Sequence, residues 1–381
     1  MKFRPARISL LRRFTSAFVT LCALVVLSIG RESSPTTFFD QQMAAARQMR
    51  ACMDSLSVAQ TSIIPEIDTN TDPNETGLIG VEYSPITTTL GSLVAKRTST
   101  NPDFAALLVR WFHHLEVREG DIVAIGCSGS FPALALATVC AAEAMQLRPI
   151  VIISLGASSF GANRPEWTYL DMEEVLYKKG MIHHRSRAAS LGGTGDTGLD
   201  LTAEGHKILS EAARRYGVPL IQQSTPAENV QVRAGIYQQD GRPKLFVNIG
   251  GSQINIGDYI SARRLSVGPN LPASLTANPP ESMIAYFAKL GIPTLHLLLI
   301  EQTAVKHNLA VDPRPLPEPG LSPVYYTLRI AAPIWILAAV CTLASWTVLI
   351  WPRRHLSPRR PCQSALPGRG ESATDRPAPH R

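Results

Sequence analysis

Apolar positions along this chain follow three patterns. Residues 14–30 (FTSAFVTLCALVVLSIG) and 330–351 are continuous uncharged runs of 17 and 22 residues. Between them, short apolar runs alternate with longer stretches of helical period. Residues 121–127 (DIVAIGC), 149–155 (PIVIISL), 187–191, 219–222, 244–249 (KLFVNI) and 294–299 predict strands. Residues 101–114, 132–145, 167–179, 202–216, 227–238 and 283–290 predict helices, with Thr202 as an N-cap and Gly217 as a stop. Unbroken apolar strands separated by helices indicate a sheet covered on both faces. The expected fold is a doubly wound, mainly parallel, Rossmann-like α/β domain over 103–329. Upstream, 31–102 reads as a helical stalk or packing helix (38–56) followed by a polar loop region (63–102).

The outer runs carry the topology expectation. Residues 14–30 suit a transmembrane helix or signal anchor, with a cleavable small-x-small site at Ser28-Ile29-Gly30 as the alternative. Residues 330–351 suit a second transmembrane helix, with Trp335 and Trp351 near its ends. Arg12-Arg13 and Arg353-Arg354 flank the runs, which places both termini in the cytoplasm and the main domain outside an inner membrane. Residues 352–381 read as a disordered basic cytoplasmic tail.

Charge sharpens this picture. The formal net charge is +7, but residues 1–13 and 352–381 each carry +5, which leaves −3 on the intervening chain. The basicity sits at the ends, so the folded part has no electrostatic case for nucleic acid. Of the six cysteines, only Cys52, Cys127 and Cys140 belong to the domain, an odd number without metal-ligand spacing. Cys127 and Cys140 read as buried apolar residues, and no metal or cofactor is expected.

In open α/β sheets, ligands sit beyond the carboxyl ends of strands. Four such ends carry Gly and Ser: Gly126-Cys127-Ser128-Gly129-Ser130, Gly156-Ala157-Ser158-Ser159, Gly192-Gly193 and Gly250-Gly251-Ser252. Together they suggest a rim that binds a carboxylate or phosphate, although each alone also makes an ordinary tight turn. Lys96-Arg97-Thr98-Ser99, ahead of a helix, offers two cations and two hydroxyls as a carboxylate clamp. Ser128 or Ser130 is a candidate nucleophile because Gly126-x-Ser128 lies in a strand–turn–helix context, although the following glycine of the nucleophile elbow is absent. His183, His184, His206 and His296 are candidate bases that nothing in the sequence separates. Asp171 opens a helix, where the dipole alone explains an acid. Residues 193–198 (GTGDTG) match G-x-G-x-x-G formally but run into Leu199-Asp200-Leu201 before their helix, and no P-loop is present.

The strings GLIGVEYSPITTTLGSLVAKRTSTNPDFAALLV (77–109), SLGASSFGANRPEWTYLDME (154–173) and RAASLGGTGDTGLDLTAEG (187–205) resemble the poly-gamma-glutamate system protein family. The resemblance implies a membrane-anchored accessory component of poly-γ-glutamate biosynthesis and export. Its partners would be the synthase and export subunits and the polyanionic polymer itself, and no catalytic residues carry over. The competing expectation is a serine hydrolase acting on that polymer or on cell-wall peptides.

Overall fold

The computed structural model describes residues 10–29, 31–64, 67–257, 265–274 and 281–350. The expected basic tail at 352–381 and residues 1–9 of the basic N-terminus lie outside the described residues. The chain divides into two units. Ser33–Arg329 forms one, and Met1–Glu32 with Ile330–Arg381 forms the other.

In the larger unit the elements follow in chain order as α1 (Phe39–Thr61), β1 (Thr87–Thr89), α2 (Leu93–Ser99), α3 (Asp103–His114), β2 (Ile122–Ser128), α4 (Pro132–Ala144) and β3 (Arg148–Ser154). Next come β4 (Ala157–Ser158), α5 (Tyr169–Lys178), β5 (Ser186–Ser190), α6 (Ala203–Arg215), α7 (Pro226–Gln238) and β6 (Leu245–Ile249). The series ends with α8 (Gln253–Ile256), β7 (Gly268–Asn270), α9 (Met283–Lys289), β8 (Thr294–Leu297) and α10 (Ile300–Lys306).

Six strands form one sheet in the order β7-β8-β6-β2-β3-β5. Five are parallel. The edge strand β7 runs antiparallel to β8, with Gly268 opposite His296, so the sheet is mixed. Gly-Pro-Asn at β7 carries no apolar alternation, which is why its sequence predicts no strand. Successive side chains of a strand point to opposite faces. Val123, Ile125 and Cys127 accordingly join a core with α1, α3, α4 and α5, while Ala124 shares the opposite core with Phe246, α7 and α9. α4 starts with Pro132 at its first turn, and α7 is held by a Thr225–Glu228 capping box.

Several expectations change here. The 38–56 segment is the packing helix: Met49, Cys52, Met53 and Leu56 of α1 are buried in the core. The polar 63–102 stretch is ordered around Asp72, whose carboxylate accepts from the backbone N–H groups of Thr76 and Gly77. Residues 219–222 supply only an isolated bridge between Leu220 and Ala189. Cys52, Cys127 and Cys140 are buried free thiols.

The membrane expectation is overturned. Among the described residues, no helix is long and apolar enough to cross a membrane. The first terminal helix, Leu10–Ile29, takes Arg12 and Arg13 into its opening turn. Its uncharged remainder from Phe14 rises only about 24 Å, against a hydrocarbon core of about 30 Å. The other, Ala332–Ile350, rises about 28 Å and carries Thr342, Ser345 and Thr347. Two transmembrane helices flanking an extracytoplasmic domain, with both termini cytoplasmic, are therefore not supported.

Candidate active site

From β2 the chain moves through β3 to β5, then returns to the other side of β2 to lay down β6. This reversal makes the junction of β2 and β6 the topological switch point, where α/β sheets open a crevice at their carboxyl ends. A cleft of about 990 Å³ lies there. It brings together most of the rim expected from the sequence: Ser128, Ser130, Ser158, Gly192, Gly193, Gly251 and Ser252 all line it, as does Lys96. Backbone meets backbone on this rim. Gly192 has φ +81°, and a Cβ there would stand 3.0 Å from Gly156 N. Gly250 (φ +87°) leaves room for Ser128 Oγ, and Gly129 passes against Leu155 O.

Lys96 is the unusual member. It sits on the short helix α2, whose N-cap Ser92 accepts from Ala95 N, and is only 2% exposed. Its Nζ donates to the carbonyl of Ser130, lies 3.9 Å from the Phe131 ring centroid, and is 2.7 Å from Ser158 Oγ. Among the described residues no carboxylate pairs with it. Burial disfavours the ammonium and pulls the pKa down from 10.5 to about 7. Ser158 is fixed from its other side, because its N–H donates to Ser130 Oγ at 3.0 Å. The strand pair β1–β4, with Ser159 N donating to Thr89 O, holds the segment in place.

The remaining candidates separate by what they touch. Arg97 turns away from its neighbour Lys96: its Nη2 donates to Asp312 Oδ2 at 2.9 Å and its Nη1 to Asn70 O. Thr98 and Ser99 spend their hydroxyls on α2 carbonyls, those of Val94 and Lys96. The expected Lys–Arg clamp is thus not assembled. Ser159 is buried with its hydroxyl near Thr89 O. Ser130 Oγ is occupied by the Ser158 N–H, and Ser128 Oγ has no partner among the described residues. Asp171 accepts from Thr168 N and Oγ1, Arg215 Nη1 and Tyr216 OH, which makes it a helix-capping anchor outside the cleft lining.

The four histidines also sort themselves. His183 and His184 bond Glu143, and His206 lies 2.8 Å from Gly198 O. His296 alone lines the cleft. The 193–198 string folds as a tight loop, not as a dinucleotide turn. Its Asp196 points inward onto Ser154 Oγ (2.7 Å) and buried Arg233, and Thr194 donates through its Oγ1 to Asp200. Among the described residues no cluster of three or more His, Cys, Asp or Glu could hold a metal.

The ionisable groups lining the cleft are Lys96, Asp196, Asp200, His296 and Glu301. Asp196 is neutralised by Arg233, and half-exposed Glu301 accepts from Ser92 Oγ at 3.0 Å. Among the described residues lining the cleft, Lys96 is the one Lys or Arg. Comparisons with protein-family models, with curated proteins and with solved structures find no match to this chain. Its chemistry has to be argued from the site.

Sequence reasoning missed the link between Lys96 and Ser158. Both residues were singled out, but as ligand contacts on separate segments 62 positions apart. A lysine on a helix otherwise rich in small and hydroxyl residues gave no sign of being buried.

Proposed function

We propose that this chain is a serine hydrolase of amides or esters, with Ser158 as nucleophile and Lys96 as general base. The observation that carries the reading is the 2.7 Å approach of a buried lysine, without a carboxylate partner among the described residues, to a serine hydroxyl at the switch-point cleft. A serine is a weak nucleophile until an adjacent base takes its proton, and a desolvated lysine near neutrality is such a base. Neutral Lys96 Nζ accepts the Ser158 proton as Oγ bonds to the substrate carbonyl carbon. The resulting ammonium returns that proton to the departing amine or alcohol as the acyl–leaving-group bond breaks. Water then attacks the acyl-serine, Lys96 takes a proton from it, and Ser158 leaves reprotonated. The Ser130 carbonyl holds Nζ in line, and the Ser130 hydroxyl holds the Ser158 backbone.

The nucleophile is therefore Ser158 and not Ser128 or Ser130, neither of whose hydroxyls meets a base. The accessory reading, in which the cleft binds poly-γ-glutamate, draws on the resemblance and on the Gly/Ser and Lys/Arg rim. Among the described residues lining the cleft, the one Lys or Arg is a lysine of depressed pKa, which offers little to a polyanion.

The test is acylation by p-nitrophenyl acetate at about pH 8, where Lys96 is neutral. The account expects a burst of nitrophenolate and an acetyl group located on Ser158 by peptide mass spectrometry. Both disappear in Ser158→Ala and persist in Ser128→Ala. Acetylation at another serine, or none in the folded wild-type protein, overturns the proposal.

A further inference from the structure

Three segments distant in sequence, 70–74, 97–101 and 310–314, meet at the C-terminal end of α2, and none of their residues lines the cleft. Arg97 is buried there and grips Asp312 with a two-pronged fork, Nε to Oδ1 at 2.7 Å and Nη2 to Oδ2 at 2.9 Å. Its Nη1 donates to Asn70 O at 3.2 Å. Thr98 is buried as well, and its Oγ1 accepts the Asp312 N–H at 3.0 Å. Two carboxamides complete the junction: Asn101 Nδ2 donates to Ala310 O at 3.3 Å, and Asn74 Nδ2 to Pro313 O at 2.8 Å. Asp312 has φ +46°, a left-handed conformation that few non-glycine residues adopt and that persists where several contacts enforce it.

The junction matters because of what α2 carries. The helix has seven residues, and helices below about 12 residues are marginal on their own in water, so α2 keeps its place through its tertiary contacts. At its start, Ser92 meets half-exposed Glu301 of α10 at the cleft. At its end, the junction grips the two residues that follow Lys96. The lysine amine rides on a flexible four-carbon stem, so it stays on Ser158 and away from water only while the helix under it stays fixed. Other charged groups near α2 have partners or lie in the cleft. Of the elements packed on it, α10 carries Glu301 and Lys306, and α4 carries Cys140 and Glu143, the latter bonded to His183 and His184. Arg314 bonds Asp312 from its exposed side at 2.9 Å.

We propose that Arg97, Thr98 and Asp312 are positioning residues, which clasp α2 from outside the cleft and keep the Lys96 amine docked on Ser158 and shut off from water. The adjacent cations thus divide the work. Lys96 faces the cleft and meets the hydroxyl, while Arg97 anchors the helix that presents it. The inference deepens the hydrolase reading by naming what sets its base, and it rests on that reading only for the amine's role in catalysis.

The test reads the Lys96 amine directly, by NMR titration of the full chain carrying carbon-13 labelled lysine, with the Lys96 signal assigned by its loss in Lys96→Met. The wild-type signal should titrate near 7. The double variant Arg97→Met/Asp312→Leu removes both charges together, so neither is left buried alone. With the clasp gone and water admitted, its Lys96 midpoint should rise by about one pH unit or more, toward the ordinary 10.5. Thr98→Val keeps the side-chain shape, loses the bond to Asp312 N–H, and should shift the midpoint in the same direction. A midpoint unchanged in the folded double variant, or a wild-type midpoint near 10.5, overturns the clasp; if the double variant fails to fold, Thr98→Val decides by the same criterion. The titration needs no turnover. If Ser158 is not acetylated while the midpoint moves, the hydrolase reading falls and the clasp stands; acetylation with an unmoved midpoint gives the reverse.

Discussion

Lys96 is a residue that the fold carries at a cost. Its pKa is held at about 7 by burial, below its ordinary 10.5. The unfolded chain therefore binds more protons than the folded one between these values, and stability rises as pH rises through that window. Replacing Lys96 with Met removes the penalty. After allowing for the lost hydrogen bonds to Ser130 and Ser158, the variant should gain roughly 2–4 kcal/mol near pH 7. Urea denaturation between pH 7 and 9 checks this: the wild type should become more stable with pH relative to Lys96→Met, and the variant should be inactive. A stabilised but dead variant is the signature of a residue kept for chemistry. None of this burial is written in the local sequence. Lys96-Arg97 reads as two solvated cations, and only the chain's return at 156–159 and 130–131 encloses one of them.

At the scale of elements, most helices and central strands were legible because each has a clear period and a cap. Thr202 at a helix start, and the unbroken apolar runs of β2, β3 and β6, are examples. Strand order was not legible, since the reversal from β5 to β6 is a long-range choice that no local pattern records. Nor was the antiparallel edge at Gly268–Asn270. The Gly-rich rim was visible as a set of strand ends, most of which line the cleft, but the fate of Asp196 within it was hidden. Arg233 is fully buried against that carboxylate, where it fixes the 193–198 loop that walls the cleft. Arg233→Met leaves a buried, unpaired carboxylate and should cost about 3–5 kcal/mol, whereas the double variant Arg233→Met/Asp196→Leu should recover much of that loss. Chemical denaturation of the two proteins measures the difference.

At the scale of the whole molecule, the hydropathic runs near the ends were visible, but their reading as spans was not sustained. Helix boundaries matter: Leu10–Ile29 starts early enough to include Arg12 and Arg13, which shortens its uncharged length. The charge balance makes a prediction of its own. With Lys96 the one Lys or Arg among the described residues lining the cleft, added poly-γ-glutamate should leave the acetylation rate of Ser158 unchanged at physiological salt. Strong inhibition would restore the polymer to the cleft. The most direct measurement is the pH dependence of Ser158 acetylation by p-nitrophenyl acetate. The rate should rise with a midpoint near 7, level off above it, and fall by about 10²-fold or more in Lys96→Met. A midpoint above 9, or a Lys96→Met protein acetylated as fast as the wild type, would contradict the account.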